Sequence, residues 1–220
     1  MPRRRLVVMA KAPVAGAVKT RLSPPLAPAF AAALAAAFLR DELAAFSRLP
    51  HREAWLCYSP AAAREQMLPL AEGLPVSLQP QADGDLGTRL LRVFDETGLP
   101  TVVVGGDSPD LSPERLEAAF RLLEEGEAEV VLGPADDGGY YLIAARGPHP
   151  ELFRDIPWSG PEVLALTLSR AAAAGLRVRL LPPWRDVDTP DDLRALRERL
   201  AHAAPEVATH TRAVLAELDG

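Results

Sequence analysis

Leu6-Val7-Val8-Met9-Ala10 forms an unbroken apolar run near the start of the chain, the pattern of a strand covered on both faces. A loop carrying Pro13, Gly16, Pro24 and Pro25 follows. In Ala27–Arg48, Leu34, Phe38 and Leu39 then recur at helical spacing. Ala54–Tyr58 reads as a second strand, Pro60–Leu70 as a short helix, and the alternating Val76–Gln79 as a strand nearer an edge. Asp85–Glu96 is predicted helical, with Leu86, Leu90, Val93 and Phe94 on one side. Thr101–Val104 reads as a central strand. The next helix starts at Pro113 behind a Ser112 cap and stops before Gly126. Glu129–Leu132 and Tyr140–Ala144 are predicted strands joined through an Asp-Gly turn. Pro161–Ala174 is predicted helical up to Gly175, and Arg177–Leu181 is a last alternating strand. Thr189-Pro190-Asp191-Asp192 opens a C-terminal helix as a capping box, which Pro205 breaks, leaving a short terminal helix.

Strands and helices alternating in this way predict an α/β fold of three layers, α/β/α, around a mostly parallel, twisted sheet. No linker or internal repeat interrupts the alternation, so residues 1–220 are read as one domain with a helical tail over 200–220.

Composition narrows the function classes. The chain has 220 residues, 48% hydrophobic and 25% charged, enough for one sizeable core. A formal net charge of −6 argues against a broad nucleic-acid-binding face. Cys57 is the only cysteine, so no intramolecular disulfide forms, and its Trp-Leu-Cys-Tyr setting reads as a buried strand. Met1–Arg5 is basic, but the apolar run after it is too short for a secretory signal, and Ala27–Leu39 is too short and weakly apolar to span a bilayer. The expectation is a cytoplasmic protein with no membrane span. The four histidines (His51, His149, His202, His210) show no metal-ligand spacing, which excludes a zinc site or a histidine-based triad.

Chemistry concentrates at predicted strand ends. In an open α/β sheet, groups at the carboxyl ends of strands converge on one crevice. After the first strand, Gly16 lets backbone N–H groups approach phosphate oxygens, and Lys19 and Arg21 add charge. The spacing from Gly16 to Lys19 is not that of a Walker A loop. Gly84 and Gly87 allow close approach to a base or ribose, while Asp85 between them serves equally as a helix cap. Asp107 follows Gly105-Gly106 at the end of a buried strand, where its carboxylate is available to a hard cation. Mg²⁺ needs few protein carboxylates when phosphates and waters complete its shell. Asp188, in Asp186-Val187-Asp188, is assigned as second metal ligand or as a contact to a metal-bound water, because capping explains Thr189 and Asp192 but not Asp188. The turn Asp136-Asp137-Gly138-Gly139-Tyr140 is a hairpin signal with more carboxylate and aromatic character than a turn requires. It is assigned to the sugar or acceptor, with Asp136 or Asp137 as base and Trp158 as a further pocket wall.

Together, Pro13-x-x-Gly16-x-x-Lys19-Thr20-Arg21-Leu22, Gly84-Asp85-Leu86-Gly87, Gly106-Asp107-Ser108-Pro109, Gly133-Pro134-x-Asp136-Asp137-Gly138-Gly139-Tyr140-Tyr141, Ile156-Pro157-Trp158 and Asp186-Val187-Asp188-Thr189-Pro190 resemble one family. It is the bacterial glycosyltransferase family of GT-A fold, some of whose members are named for arsenosugar biosynthesis, within the nucleotide-diphospho-sugar transferase superfamily. The resemblance runs from about residue 5 to 195. It implies that Pro13, Gly16, Lys19 and Arg21 face donor phosphates and that Gly84, Asp85 and Gly87 face the nucleotide. It also implies that Asp107 holds Mg²⁺ or Mn²⁺, and that Gly138, Gly139 and Tyr140 face the sugar or acceptor. Asp107-Ser108-Pro109 lacks the second aspartate of the usual Asp-x-Asp, so the pairing with Asp188 is an inference from this sequence.

The function expected first is metal-dependent glycosyl transfer from a nucleotide-diphospho-sugar to a small-molecule acceptor. The alternatives are nucleotidylyl transfer from an NTP with release of pyrophosphate, and a module that binds a nucleotide or sugar without turnover. The partners expected are thus a nucleotide-sugar or NTP and a small acceptor, no nucleic acid, and a homodimer as the assembly to test.

Overall fold

The computed structural model describes residues 3–50, 52–95, 98–158 and 160–218. His51, the expected helix end Glu96, Ser159 of the Ile156–Gly160 loop, and the terminal residues Met1, Pro2, Asp219 and Gly220 lie outside the described residues.

Among the described residues seven strands form one sheet: β1 (Arg4–Lys11), β2 (Arg52–Ser59), β3 (Val76–Pro80), β4 (Thr101–Gly105), β5 (Val130–Pro134), β6 (Tyr140–Ala145) and β7 (Val178–Leu180). Their order is β3-β2-β1-β4-β6-β5-β7. Neighbours run parallel except β6, which is antiparallel to both β4 and β5. The hairpin signal between β5 and β6 therefore fixes the one reversed strand. Chain order leaves β1 for β2 and β3 on one side, then returns to β4 on the other. The crevice above the carboxyl ends of β1 and β4 is thus the topological switch point, where open α/β sheets bind ligands.

Helices cover both faces. On one side, α1 (Pro28–Phe46), α2 (Arg64–Ala71) and α4 (Pro113–Glu124) pack on Leu6, Val8, Leu56, Val102 and Val104, through Leu39, Leu43, Met67, Leu116 and Phe120. On the other, α3 (Leu86–Asp95) and α5 (Val163–Ala173) pack on Val7, Cys57, Val103, Val130 and Ile143, through Leu90, Phe94 and Ala171. Alternate strand residues face opposite layers, so a strand with both faces covered must be apolar throughout, as Leu6–Val8 is. Cys57 is a free, buried thiol in the second of these layers.

A third cluster ties the C-terminal elements to the site. Leu22, Leu34 and Phe38 pack with Val187, with Leu193, Leu196 and Leu200 of α6 (Pro190–His202), and with Leu215 of α7 (Thr209–Ala216). The Thr189 capping box is formed: the Thr189 hydroxyl accepts the Asp192 N–H at 3.3 Å and the Asp192 carboxylate accepts the Thr189 N–H at 2.7 Å. Asp41 of α1 accepts the His210 and Thr211 N–H groups, at 3.0 and 2.8 Å, at the start of α7. No helix among the described residues is long and apolar enough to cross a membrane.

Candidate active site

The segments that follow β1 and β4, together with Asp186–Asp188 just before α6 rather than at a strand end, bring charge into the switch-point crevice. After β1 the chain turns through Gly16, whose φ of 77° belongs to the left-handed region, and enters a short 3₁₀ turn at Thr20–Leu22. Lys19 precedes that turn with φ 48° and ψ 37°, an uncommon conformation for a residue with a Cβ. This backbone turns its side chain inward. Lys19 is 9% exposed, its Nζ donates to the Val187 carbonyl at 2.5 Å, and it pairs with Asp107 Oδ1 at 2.6 Å. Asp188 Oδ1 lies 4.0 Å from the same Nζ, while Arg21 Nη1 donates to Asp188 Oδ2 at 2.6 Å. The structure therefore brings together Lys19, Arg21, Asp107 and Asp188, with Gly16 exposed in the loop that leads to Lys19. Pro13 sits in the same loop, half-buried.

The glycines before Asp107 have different reasons. A Cβ on Gly106 would fall 2.5 Å from Leu39 Cδ2, so this glycine lets α1 close on the strand end. A Cβ on Gly105 would meet nothing, so packing does not require this glycine.

A third carboxylate, Asp186, adds its charge to this group; the sequence pattern places it on the same side as Asp188 and assigns a role to Asp188 alone. Burial, then the charges of Asp137 and Asp107, push its carboxyl up to about 6. The signal was present in the alternation of Asp186-Val187-Asp188, which turns two carboxylates the same way around a fully buried valine.

The β5–β6 turn places Asp136 and Asp137 exposed at the crevice rim. Asp137 Oδ1 accepts the Gly139 N–H at 2.9 Å, which shapes the turn. Tyr140 begins β6 and is packed against the α3–α5 layer, and burial pushes its hydroxyl pKa up. Tyr141 points into the opposite layer, where its ring occupies the space that a Cβ on Gly133 would need. Gly138 has φ 91°, and a Cβ there would lie 2.0 Å from the Pro161 carbonyl oxygen. Gly138→Ala is therefore expected to destabilise the fold by on the order of 3 kcal/mol and to displace Asp137. Urea unfolding checks this against Gly147→Ala, whose added Cβ would meet nothing and which is expected to leave the midpoint unchanged.

Gly84, Asp85 and Gly87 lie at the start of α3. Asp85 accepts both the Thr88 hydroxyl, at 2.6 Å, and the Thr88 N–H, at 2.8 Å. The hydroxyl bond first, then the N–H, hold its carboxyl below the usual range. Capping accounts for Asp85. Gly84 has φ 107°, and an added Cβ on Gly87 would lie 2.9 Å from Trp158 Cζ2. Trp158 extends a ring series from Phe94 through Phe153, with centroids 6.4 and 6.3 Å apart. The structure thus places Gly87 and Trp158 against each other. Nearby, the Gln81 side chain donates to the Ala10 and Cys57 carbonyls at 3.1 and 2.8 Å and accepts from Arg89 at 2.9 Å, which locks the end of β3 to β1 and β2.

Among the described residues, no three His, Cys, Asp or Glu side chains converge into a metal centre made by protein alone. Asp107 and Asp188 are each about half exposed, at 48% and 41% of the side chain. Two accessible carboxylates facing cationic groups suit a hard divalent ion that takes its other ligands from phosphate and water. The donor set fits Mg²⁺ or Mn²⁺ on that condition.

The sheet order, with a cation-bearing loop at its switch point, is that of the nucleotide-diphospho-sugar transferase fold, and the chain's relatives make it a transferase. The chain belongs to the bacterial family described as "Uncharacterized protein conserved in bacteria (DUF2064)", which it matches over residues 42–160. It is 32% identical over 214 residues to a phosphoenolpyruvate guanylyltransferase from Conexibacter woesei, covering 91% of this chain and 90% of that protein. A solved structure from Desulfovibrio desulfuricans G20, provisionally assigned as a nucleotide-diphospho-sugar transferase, superposes with a TM-score of 0.89 at 33% identity, covering 100% of this chain and 96% of the other. A cytidylyltransferase from Leptospira borgpetersenii shares the fold at a TM-score of 0.58 and 13% identity, covering 100% of this chain and 96% of that one.

Proposed function

We propose that this chain is a divalent-metal-dependent nucleotidylyltransferase, in which an anionic acceptor oxygen attacks the α-phosphorus of an NTP and pyrophosphate leaves. The observation that carries this reading is the pairing of Lys19 and Arg21 with Asp107 and Asp188 at the switch point. A guanylyltransferase similar over nine-tenths of the chain supports it, and GTP is accordingly the first donor to test.

Asp107 and Asp188 would hold the cation, which supplies charge neutralisation on the phosphates when bound. Lys19 and Arg21 contact phosphate oxygens and stabilise the charge that builds on the departing pyrophosphate as the bond from the α-phosphorus to its bridging oxygen breaks. Gly16 brings backbone N–H groups toward the same phosphates. A phosphate acceptor is already deprotonated near neutral pH, so Asp136 and Asp137 are not needed as bases in this reaction. They line the acceptor side instead.

Glycosyl transfer is the second reading, favoured by the close structural similarity to the provisional nucleotide-diphospho-sugar transferase. There a hydroxyl acceptor must lose a proton, and Asp137, exposed on the β5–β6 turn, would take it. Product analysis separates the two. With Mn²⁺, GTP or the other NTPs and a panel of phosphorylated acceptors, pyrophosphate release is expected. Release of nucleoside diphosphate from a nucleotide-sugar, with activity lost in Asp137→Asn, would instead establish the second reading. Binding without either product would leave a non-catalytic module.

A further inference from the structure

Glu42 lies in α1 among Leu39, Leu43 and Phe46, on the face that packs against the sheet, and is 1% exposed. Its Oε1 accepts the Ser108 N–H at 2.6 Å, while its Oε2 is buried with no partner. Burial first, and the neighbouring Asp107 carboxylate, push its carboxyl well above the ordinary range. A carboxyl in such a place is costly, and an apolar side chain of similar size is the usual stable solution. Its retention calls for a reason other than packing.

The reason lies in which peptide it touches. The Asp107–Ser108 peptide group is gripped at both ends: its carbonyl accepts the Val187 N–H at 2.9 Å, and its N–H donates to Glu42. The Val187 carbonyl in turn accepts from Lys19, which pairs with the Asp107 carboxylate. The orientation of this one peptide sets the direction in which the Asp107 side chain leaves the strand end. Gly105 and Gly106 precede it and bring no side chain of their own to fix it. Resting on the function proposed above, we propose that Glu42 is a positioning residue: its hydrogen bond to the Ser108 N–H holds the Asp107 carboxylate in register with Lys19 and Asp188 for a metal-bound nucleotide.

Two variants and two measurements test this in the full-length protein. Glu42→Gln keeps an acceptor for the Ser108 N–H, and Glu42→Met fills the space without one. In wild type the Ser108 amide, read by NMR hydrogen exchange, is expected to exchange at least about 10³-fold more slowly than an unstructured amide. Glu42→Gln is expected to hold that protection within about threefold, and Glu42→Met to lose about 30-fold or more. In calorimetry, Glu42→Met is expected to bind Mn²⁺–GTP about tenfold more weakly, with metal-free GTP affinity changed by less than about threefold, and Glu42→Gln to restore the loss. Unchanged Ser108 protection in Glu42→Met would overturn the hydrogen-bond role. Lost protection with unchanged Mn²⁺–GTP affinity would overturn the positioning role, as would a Gln variant as weak as Met. If Glu42→Met does not fold, fast Ser108 exchange in wild type or in Glu42→Gln overturns the proposal. Wild type that binds no Mn²⁺–NTP would instead sink the function proposed above, while the exchange data still decide the clamp.

Discussion

Asp107→Asn is expected to lower kcat/KM on the order of 10³-fold, or about 4 kcal/mol of transition-state stabilisation. The substitution keeps size and hydrogen-bonding capacity and removes one charge, so it isolates what that charge does. Under the proposed function the charge holds a divalent ion against the phosphates, and an amide oxygen is a much poorer ligand for a hard cation. Stability is expected to change little. Asp107 is 48% exposed, its ion pair with Lys19 is screened by solvent on that side, and Lys19 keeps its bond to the Val187 carbonyl. Asp188→Asn is expected to cost less, about 10- to 100-fold, because Lys19 is 4.0 Å from Asp188 and Arg21, its closer partner, is 65% exposed. Initial rates over a Mn²⁺ titration, with thermal unfolding alongside, make the measurement. An Asp107→Asn enzyme within about tenfold of wild type at saturating Mn²⁺ would remove Asp107 from the metal site.

How much of this could be read from the chain depends on the range of the interaction. Leu6–Ala10 and Thr101–Val104 were legible as doubly covered strands because continuous apolar character is a local consequence of two packed faces. The Thr189–Asp192 capping box is likewise local, closing within four residues. Strand order is not local. That β4 returns beside β1, and that β6 lies reversed between β4 and β5, follows from how the layers bury their faces, and only the hairpin half was visible, in the Asp-Gly turn. Side-chain purpose divides in the same way. Gly87 and Trp158 each look like ligand-facing residues in sequence, yet they meet across distant segments, so one accounts for the other. Glu42 escaped notice as one acidic residue on an alanine-rich helix. Its spacing from Phe38, Leu39 and Phe46 puts it on the buried stripe, and a carboxyl on such a stripe is the signal that was available.

Lys19→Met carries the second large effect, with a sign that differs between ligands. Lys19 is the buried cation of the crevice. It neutralises Asp107 at 2.6 Å and reaches toward Asp188 at 4.0 Å, while Asp186 and Asp137 add negative charge nearby. In the proposed reaction its ammonium serves the phosphates, so its loss is expected to reduce kcat/KM with GTP about 10²- to 10³-fold. The same ammonium competes with any cation for Asp107. Removing it leaves neighbouring carboxylates repelling one another without compensation, and such a group gains more from a divalent ion. Mn²⁺ affinity in the absence of nucleotide is therefore expected to rise about tenfold in Lys19→Met, while nucleotide affinity falls. Lys19→Arg is not expected to rescue, because the planar guanidinium does not fit a site built around one compact ammonium bonded to a carbonyl and a carboxylate. Mn²⁺ electron spin resonance titrations with and without GTP read both changes in one experiment. A general loss of structure would weaken both ligands together. Opposite shifts would identify Lys19 as the charge that passes from the aspartates to the phosphates when nucleotide binds, and a parallel loss would remove it from that role.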